Sequence, residues 1–299
     1  MKRAALVVLV LVAAGCGGSK EKSSSSSSLP DSLKRLYAYK QAAPLAERDN
    51  QRPYKEHGAT LHDISFRGSR GRRVNAFLMV PDGKGPFGGV VFQHGSGQDR
   101  SEFVAESLAL AQRGAVGVLL DEPWVRSNSS APPDKLARDI RQNYVDNVVD
   151  VRRAVDLLRS RKDVDGKRIG FVGHSYGAAI GALASAVEPR IEALNLLSGG
   201  ATPSRGYAQI IGRSPAKQRA YRRLLQTIDP VRYIGHAAPR HLFIEAGRHD
   251  EIIPQPDLKA LIAAASKPKR VKWFDAGHAL TLPAFQQGAN WLSAELNLG

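Results

Sequence analysis

Short runs of aliphatic and β-branched residues alternate along this chain with longer segments of helical periodicity. Three runs of strand length are Gly89–Gln93, Ala115–Leu120 and His241–Ala246. Between the second and the third, Asp134–Arg161 carries apolar residues at helical spacing, which predicts one long helix. Strands that alternate with helices in this way predict an α/β fold, with a mostly parallel central sheet and helices on both faces.

The N-terminal part of the chain is predicted to add a helix and a pair of strands to this core. A helix is expected over Asp31–Asn50, and a short glycine-containing turn joins Thr60–Arg67 to Arg72–Val80, which favours an antiparallel pair. Further along, Ser101 is expected to cap a helix that continues to about Arg113.

The stretch Arg168–Ala179 carries the strongest chemical signal in the sequence. It consists of a short β-branched run, a G-x-S-x-G turn and a run of small helix-forming residues. Gly173 and Gly177 flank Ser175 where a Cβ would clash with a tight strand-to-helix turn. The pattern predicts that Ser175 is the nucleophile of an enzyme. The alternative is a glycine-rich turn that holds an incidental serine.

A serine nucleophile needs a histidine to take its proton and a carboxylate to orient that histidine. Asp250 follows the strand-like run His241–Ala246, and His278 follows the next strand-like run, Val271–Phe274. Ligands of open α/β sheets bind at the ends of the strands where these residues lie. We therefore predict Asp250 and His278 as the partners of Ser175.

Four other residues compete for these two roles. His249 is the best rival base, but it adjoins Asp250 in the sequence. Among the acids, Glu245 lies inside a predicted strand, Asp275 is too near His278 to orient it easily, and Asp229 before a proline is typical of a turn or cap.

An oxyanion hole requires two backbone N–H donors. The first is expected from Tyr176, the residue after the nucleophile. The early strand Gly89–Gln93 continues into an H-G-x-G sequence, His94–Gly97, and we predict the Ser96 amide as the second donor. His94 itself is expected to fix this loop rather than to take part in the chemistry.

These ordered motifs, from about Gly58 to the C-terminus, resemble the α/β-hydrolase superfamily. Asn75–Pro81, Phe92–Gly97 and Gly247–Pro254 are similar to its dienelactone hydrolase-like and prolyl oligopeptidase-like branches. The resemblance implies hydrolysis of an acyl bond through an acyl-enzyme. True dienelactone hydrolases use a cysteine where this chain has Ser175, and the chain has no room for the propeller of prolyl oligopeptidases.

The segment 198–228 lies between two strand-like runs and is too long for a plain connection, so a helical cap over the site is predicted. It contains no acidic residue, and its basic residues are Arg205, Arg213, Lys217, Arg219, Arg222 and Arg223. Such a basic face could select anionic acyl groups, but the sequence favours a solvated helix surface.

The first 15 residues resemble a signal peptide, because a short basic start precedes the apolar run Ala4–Val12 and the small residues Ala13–Gly15. Cys16 follows directly and is the only cysteine, which favours a bacterial lipoprotein signal in which Cys16 is lipidated. The alternative is an ordinary secretory signal with an incidental cysteine. The sequence thus predicts an exported protein that is anchored to a bacterial cell membrane by lipid.

Residues 16–30 form a serine-rich tether, and residues 31–299 remain for one α/β-hydrolase domain. The chain has 43 Lys and Arg against 28 Asp and Glu, a formal charge of +15. The basic residues are spread along the chain without clustered aromatic residues, so nucleic acid is not an expected partner. No metal-ligand spacing or phosphate loop is present in the sequence, so no metal or cofactor is predicted. The sequence does not indicate an oligomeric state.

Together these features predict a serine hydrolase of the carboxylesterase type acting on a small-molecule ester. A peptidase or amide hydrolase with the same triad is an open alternative, as is an acyltransferase. A non-catalytic, lipid-anchored binding protein on a hydrolase scaffold is the alternative from another class. Intact Ser175, Asp250 and His278 argue against it, since a scaffold has no physical need for all three.

Overall fold

The structure is a computed structural model that describes residues 28–123 and 131–299. The predicted signal peptide (1–15), Cys16 and most of the tether (16–30) lie outside the described residues. The described residues contain ten β-strands and eight α-helices, which alternate for the most part from β5 onward. No helix of the described ranges is long and apolar enough to cross a membrane.

The strands form one sheet and the helices connect them. The strands are β1 Arg48–Asp49, β2 Tyr54–Glu56, β3 Ala59–Arg67, β4 Arg73–Pro81, β5 Phe87–Gln93, β6 Ala115–Leu120, β7 Val164–His174, β8 Ala193–Leu197, β9 His241–Gly247 and β10 Lys269–Phe274. The helices are α1 Asp31–Leu36, α2 Val104–Ala111, α3 Pro133–Ser160, α4 Tyr176–Val187, α5 Pro203–Ile211, α6 Pro215–Leu225, α7 Gln255–Ala264 and α8 Leu282–Glu295.

The sheet order is β1-β3-β4-β6-β5-β7-β8-β9-β10, with β2 paired to β3. Strands from β6 to β10 in this order run parallel, whereas β1 to β4 are antiparallel to their neighbours. The mostly parallel sheet predicted from the sequence is confirmed. Because parallel strands end at one edge, the loops after β5, β7, β9 and β10 lie at the same side of the molecule.

Both faces of the sheet are covered by helices, as the continuous apolar strands require. On one face, Val151 of α3, Ile180 of α4 and Leu261 of α7 are buried in one cluster. On the other face, Leu110 of α2 and Leu292 of α8 are buried in a second cluster. The sheet is therefore packed between two layers of helices, which fixes the positions of the loops at its edge.

Two local predictions were wrong at the N-terminal side. The helix expected over Asp31–Asn50 ends at Leu36, and Arg48–Asp49 pairs with β3 instead. Pro44 lacks an N–H and disfavours helical angles at Ala43, which explains why no helix runs through to Asn50. Ser101 does not cap the next helix, which begins at Val104 after Phe103; the Ser101 hydroxyl donates to Asp99 Oδ1 (2.5 Å).

The segment 198–228, predicted as a cap, forms the two helices α5 and α6 and a short 3₁₀ turn. Helix α6 packs against the long helix α3, and Tyr221 of α6 donates to Asp134 of α3 at 2.7 Å. The six basic side chains of this segment are exposed. Their orientation toward solvent fits the solvated-surface interpretation.

A carboxyl group inside the sheet gives this fold an expected pH dependence. Burial, opposed by Asn195 and Arg270, raises the pKa of Glu245 on β9 from 4.5 to about 8. The unfolded chain keeps the ordinary pKa, so stability from the neutral carboxyl is full below about pH 4.5 and is lost as the pH rises through about 8.

Glu245→Gln is therefore expected to remove this loss, since an amide does not titrate. The variant should gain about 4 kcal/mol of unfolding free energy relative to the parent between pH 4.5 and pH 9. Chemical denaturation at both pH values measures the difference, with exposed Glu47→Gln as the matched control. An equal pH dependence in parent and Glu245→Gln would contradict the assignment.

Candidate active site

Ser175 lies at the turn between β7 and α4 with backbone angles that non-glycine residues seldom adopt. Its φ is +53° and its ψ is −109°. A Cβ on Gly177 would lie 1.9 Å from the carbonyl oxygen of Gln93, and a Cβ on Gly173 would lie 2.4 Å from the carbonyl oxygen of Gly177. The glycine spacing is thus required for the sharp turn that lifts Ser175 to the edge of the sheet.

The structure brings together the three side chains predicted as a triad. The Ser175 hydroxyl lies 2.8 Å from His278 Nε2, and His278 Nδ1 lies 2.9 Å from Asp250 Oδ2. The residues come from three loops, after β7, β9 and β10, so the arrangement is a product of the fold and not of sequence proximity. A serine, a base and an orienting acid in hydrogen-bond reach can perform nucleophilic acyl transfer.

Asp250 is held in one orientation by its own loop. Its side chain is fully buried, and Oδ1 accepts the N–H groups of Ile252 (2.9 Å) and Ile253 (2.8 Å). The neighbouring Glu251 accepts the backbone N–H of His278 at 3.1 Å. The acid loop therefore fixes both the ring and the backbone of the histidine.

The rival residues lie elsewhere. His249 Nε2 is 2.7 Å from Asp275 Oδ1, and both side chains are largely exposed to solvent. Asp229 accepts the backbone N–H and the hydroxyl of Ser204 at the start of α5, which agrees with the cap role expected for it. Glu245 is buried in the sheet.

The two residues predicted to supply the oxyanion donors line the same pocket as Ser175. Ser96 and Tyr176 both line it, and the Tyr176 N–H belongs to the first turn of α4, where no intrahelical acceptor exists. The preceding amide, Gly95 N–H, is committed to Glu102 Oε2 at 2.7 Å. The assignment of the Ser96 and Tyr176 amides to the oxyanion stays a prediction.

His94 holds the H-G-x-G loop through both ring nitrogens. The Glu122 N–H donates to Nε2 (3.1 Å), so Nδ1 carries the proton and donates to the carbonyl of Gly95 (2.8 Å). A neutral ring with these two partners fits the loop-fixing role expected for His94.

Sequence reasoning missed a second layer of polar residues around the triad. Glu102 Oε1 lies 2.7 Å from His174 Nδ1, and His174 Nε2 lies 3.1 Å from the carbonyl oxygen of His278. The Ser198 hydroxyl donates to the same carbonyl at 2.9 Å. No motif marks these residues, because their contacts join segments that are more than 70 residues apart in the chain.

A pocket of about 260 Å³ opens beside Ser175 and is lined mainly by apolar and aromatic groups. Tyr144 forms its base, with ring centroids 4.9 Å from Tyr176 and 6.2 Å from Tyr207 in edge-to-face geometry. Ile210 of α5 and Ile252 lie at its rim and are exposed. Among the described lining residues there is no Lys or Arg.

Two family models and a group of known proteins are similar to this chain. A family model described as acetyl xylan esterase (AXE1) matches residues 31–197, and one described as BAAT / acyl-CoA thioester hydrolase C terminal matches residues 151–245. An uncharacterised protein of Mycobacterium tuberculosis, present in two strains, is 29% identical over 242 residues, which are 79% of this chain and 76% of that protein.

Two solved structures show the same architecture. Acetyl xylan esterase 1 from Thermoanaerobacterium sp. JW/SL YS485 has a TM-score of 0.75 at 17% identity and covers 89% of this chain and 93% of its own. The acetyl xylan esterase from Paenibacillus sp. R4 has a TM-score of 0.71 at 19% identity, and the match covers 88% of this chain and 92% of that esterase. These similarities confirm the predicted α/β-hydrolase fold.

Proposed function

The chain belongs to the acetyl xylan esterase (AXE1) family, and from this premise we propose that it hydrolyses carboxylic esters through an acyl-enzyme on Ser175. The observation that carries the proposal is the unbroken hydrogen-bonded series from the Ser175 hydroxyl through His278 to the buried Asp250 carboxylate. This series supplies a nucleophile, a base and an orienting charge at one pocket.

In the proposed reaction, Ser175 Oγ attacks the ester carbonyl while His278 Nε2 takes the hydroxyl proton. The negative charge that develops on the carbonyl oxygen is stabilised by the backbone N–H groups of Ser96 and Tyr176. His278 then gives its proton to the departing alcohol. A water molecule, deprotonated by His278, attacks the acyl-enzyme and releases the acid.

The pocket supports neutral substrates whose bound part is larger than an acetyl group. Its volume of about 260 Å³ equals the space of roughly nine water molecules in the liquid, whereas an acetyl group has three non-hydrogen atoms. The aromatic base and the isoleucine rim favour apolar groups. No basic side chain lines the described wall of the pocket. The exposed cations of α6 therefore contribute little to the binding of an anionic acyl group inside it.

A panel of p-nitrophenyl esters tests the proposal. We expect the neutral butyrate and hexanoate to be hydrolysed with a higher kcat/KM than the acetate, and the anionic hemisuccinate with a lower one. A p-nitroanilide with the same acyl group should react more slowly than its ester. Hydrolysis of the anilide alone would contradict the esterase proposal in favour of an amide hydrolase, and failure of every ester would contradict it altogether.

A further inference from the structure

Glu102 and His174 connect three loops that the proposed reaction needs. Glu102 Oε2 accepts the Gly95 N–H (2.7 Å) next to the predicted oxyanion donor Ser96, and its Oε1 lies 2.7 Å from His174 Nδ1. His174 directly precedes the nucleophile, and its Nε2 reaches the carbonyl oxygen of His278 at 3.1 Å. One pair of side chains thus touches the oxyanion loop, the elbow and the loop of the base.

The partners of His174 define its protonation state. The carboxylate of Glu102 and the carbonyl of His278 are acceptors only, so both ring nitrogens must donate, which requires the imidazolium form. Burial acts to lower the pKa of His174, but the hydrogen bond and charge of Glu102 outweigh it and raise the pKa above 6.5. Burial likewise opposes ionisation of Glu102, yet the contact with His174 lowers the pKa of that carboxyl.

We propose that the Glu102–His174 ion pair is a positioning device that holds the oxyanion loop and the backbone of His278 in working register with Ser175. Neither residue touches a reacting atom, so both act through the groups that they hold. The inference rests on the proposed function for its kinetic consequence, but the ion pair itself can be observed without a substrate.

The pair predicts that activity is lost at alkaline pH. The charged or titratable groups that face it are Glu106, His94, Asp250 and the ring of His278, whose centroid lies 5.1 Å from that of His174. When the pH rises above the pKa of His174, the ring keeps one proton and must release one of its two acceptors. We therefore expect kcat to fall on that alkaline side as the loops lose their connection.

The first experiment measures the ion pair directly, by NMR titration of the histidine ring signals of the purified protein. His174 should titrate with a midpoint above 6.5, and Glu102→Gln should move that midpoint to lower pH. A His174 midpoint at or below 6.5 in the parent would overturn the proposal whether or not any ester is hydrolysed.

The second experiment measures positioning by kinetics on the p-nitrophenyl esters. Glu102→Gln and His174→Gln should each lower kcat by about 10- to 100-fold, with little change in KM, because small misplacements of reacting groups act on the chemical step. The double variant should lose no more than the stronger single one, since both remove the same connection. Glu295→Gln removes the exposed contact with His241 at the start of β9, on the far side of the sheet from the pocket, and as the matched control it should match the parent.

Circular dichroism confirms that each variant is folded, and if Glu102→Gln fails to fold, His174→Gln decides. Folded variants with kcat within about twofold of the parent and an unchanged alkaline limit would overturn the positioning role. If the parent hydrolyses no ester, the proposed function fails separately. The rate of fluorophosphonate attachment to Ser175 in parent and variants then replaces kcat as the readout.

Discussion

Replacing Ser175 with alanine is expected to lower kcat for the neutral esters by a factor on the order of 10⁴ to 10⁶. The hydroxyl is the only atom of the described site that is placed both to attack a carbonyl at the pocket and to donate its proton to His278 Nε2 at 2.8 Å. Its removal leaves the pocket and the oxyanion donors in place, so substrate binding should persist while the covalent step is lost.

The fold should survive this substitution. The strained turn depends on the backbone of Ser175, whose N–H donates to the Leu197 carbonyl at 2.8 Å, and alanine keeps that bond. Ser160→Ala, at the end of α3 and far from the pocket, is the matched control and should retain full activity. Hydrolysis by folded Ser175→Ala within tenfold of the parent would exclude Ser175 as the nucleophile.

The second large effect is expected for Asp250→Asn, which should lower kcat by about 10³ to 10⁴. The two backbone N–H groups at Oδ1 will hold the carbonyl oxygen of the new side chain at that position. The amide NH₂ then faces His278 Nδ1, where the carboxylate had accepted the hydrogen bond of the ring N–H at 2.9 Å. Because the amide NH₂ and a protonated Nδ1 would both be donors, His278 favours the tautomer with its proton on Nε2. That tautomer cannot accept the proton of Ser175.

Asp275→Asn provides the control for this experiment. Asp275 is three residues from His278 in the sequence, yet its carboxylate pairs with His249 in solvent. We expect unchanged kcat for this variant. If kcat fell equally in Asp250→Asn and Asp275→Asn, or fell further in Asp275→Asn, Asp250 would not be the orienting acid.

The sequence predicted the elements that depend on local pattern. The elbow could be found because its whole signal, a β-branched run, the G-x-S-x-G spacing and small helix-forming residues, lies within the continuous stretch Arg168–Ala179. Asp250 and His278 could be found because the edge of a parallel sheet restricts where partners of Ser175 can lie. The long helix α3 followed from its periodicity, and its observed bounds, Pro133–Ser160, differ from the predicted ones by one residue at each end.

The remaining features depend on tertiary contacts that no local pattern records. Glu102 and His174 are 72 residues apart, so the sequence around either residue does not predict that they pair. The start of α2 was missed for a local reason instead: Ser101 has the residue type of a helix cap, but its hydroxyl donates to Asp99 two residues earlier. The aromatic base of the pocket forms only when α3, α4 and α5 bring Tyr144, Tyr176 and Tyr207 together.

Fluorophosphonate labelling of the purified protein, with identification of the modified peptide, measures whether the fold activates Ser175 as a nucleophile. We predict a single label on Ser175 of the parent, none on Ser175→Ala and slower attachment to Asp250→Asn. If the folded parent takes up no label, or if the label is on another serine, Ser175 is not the activated nucleophile.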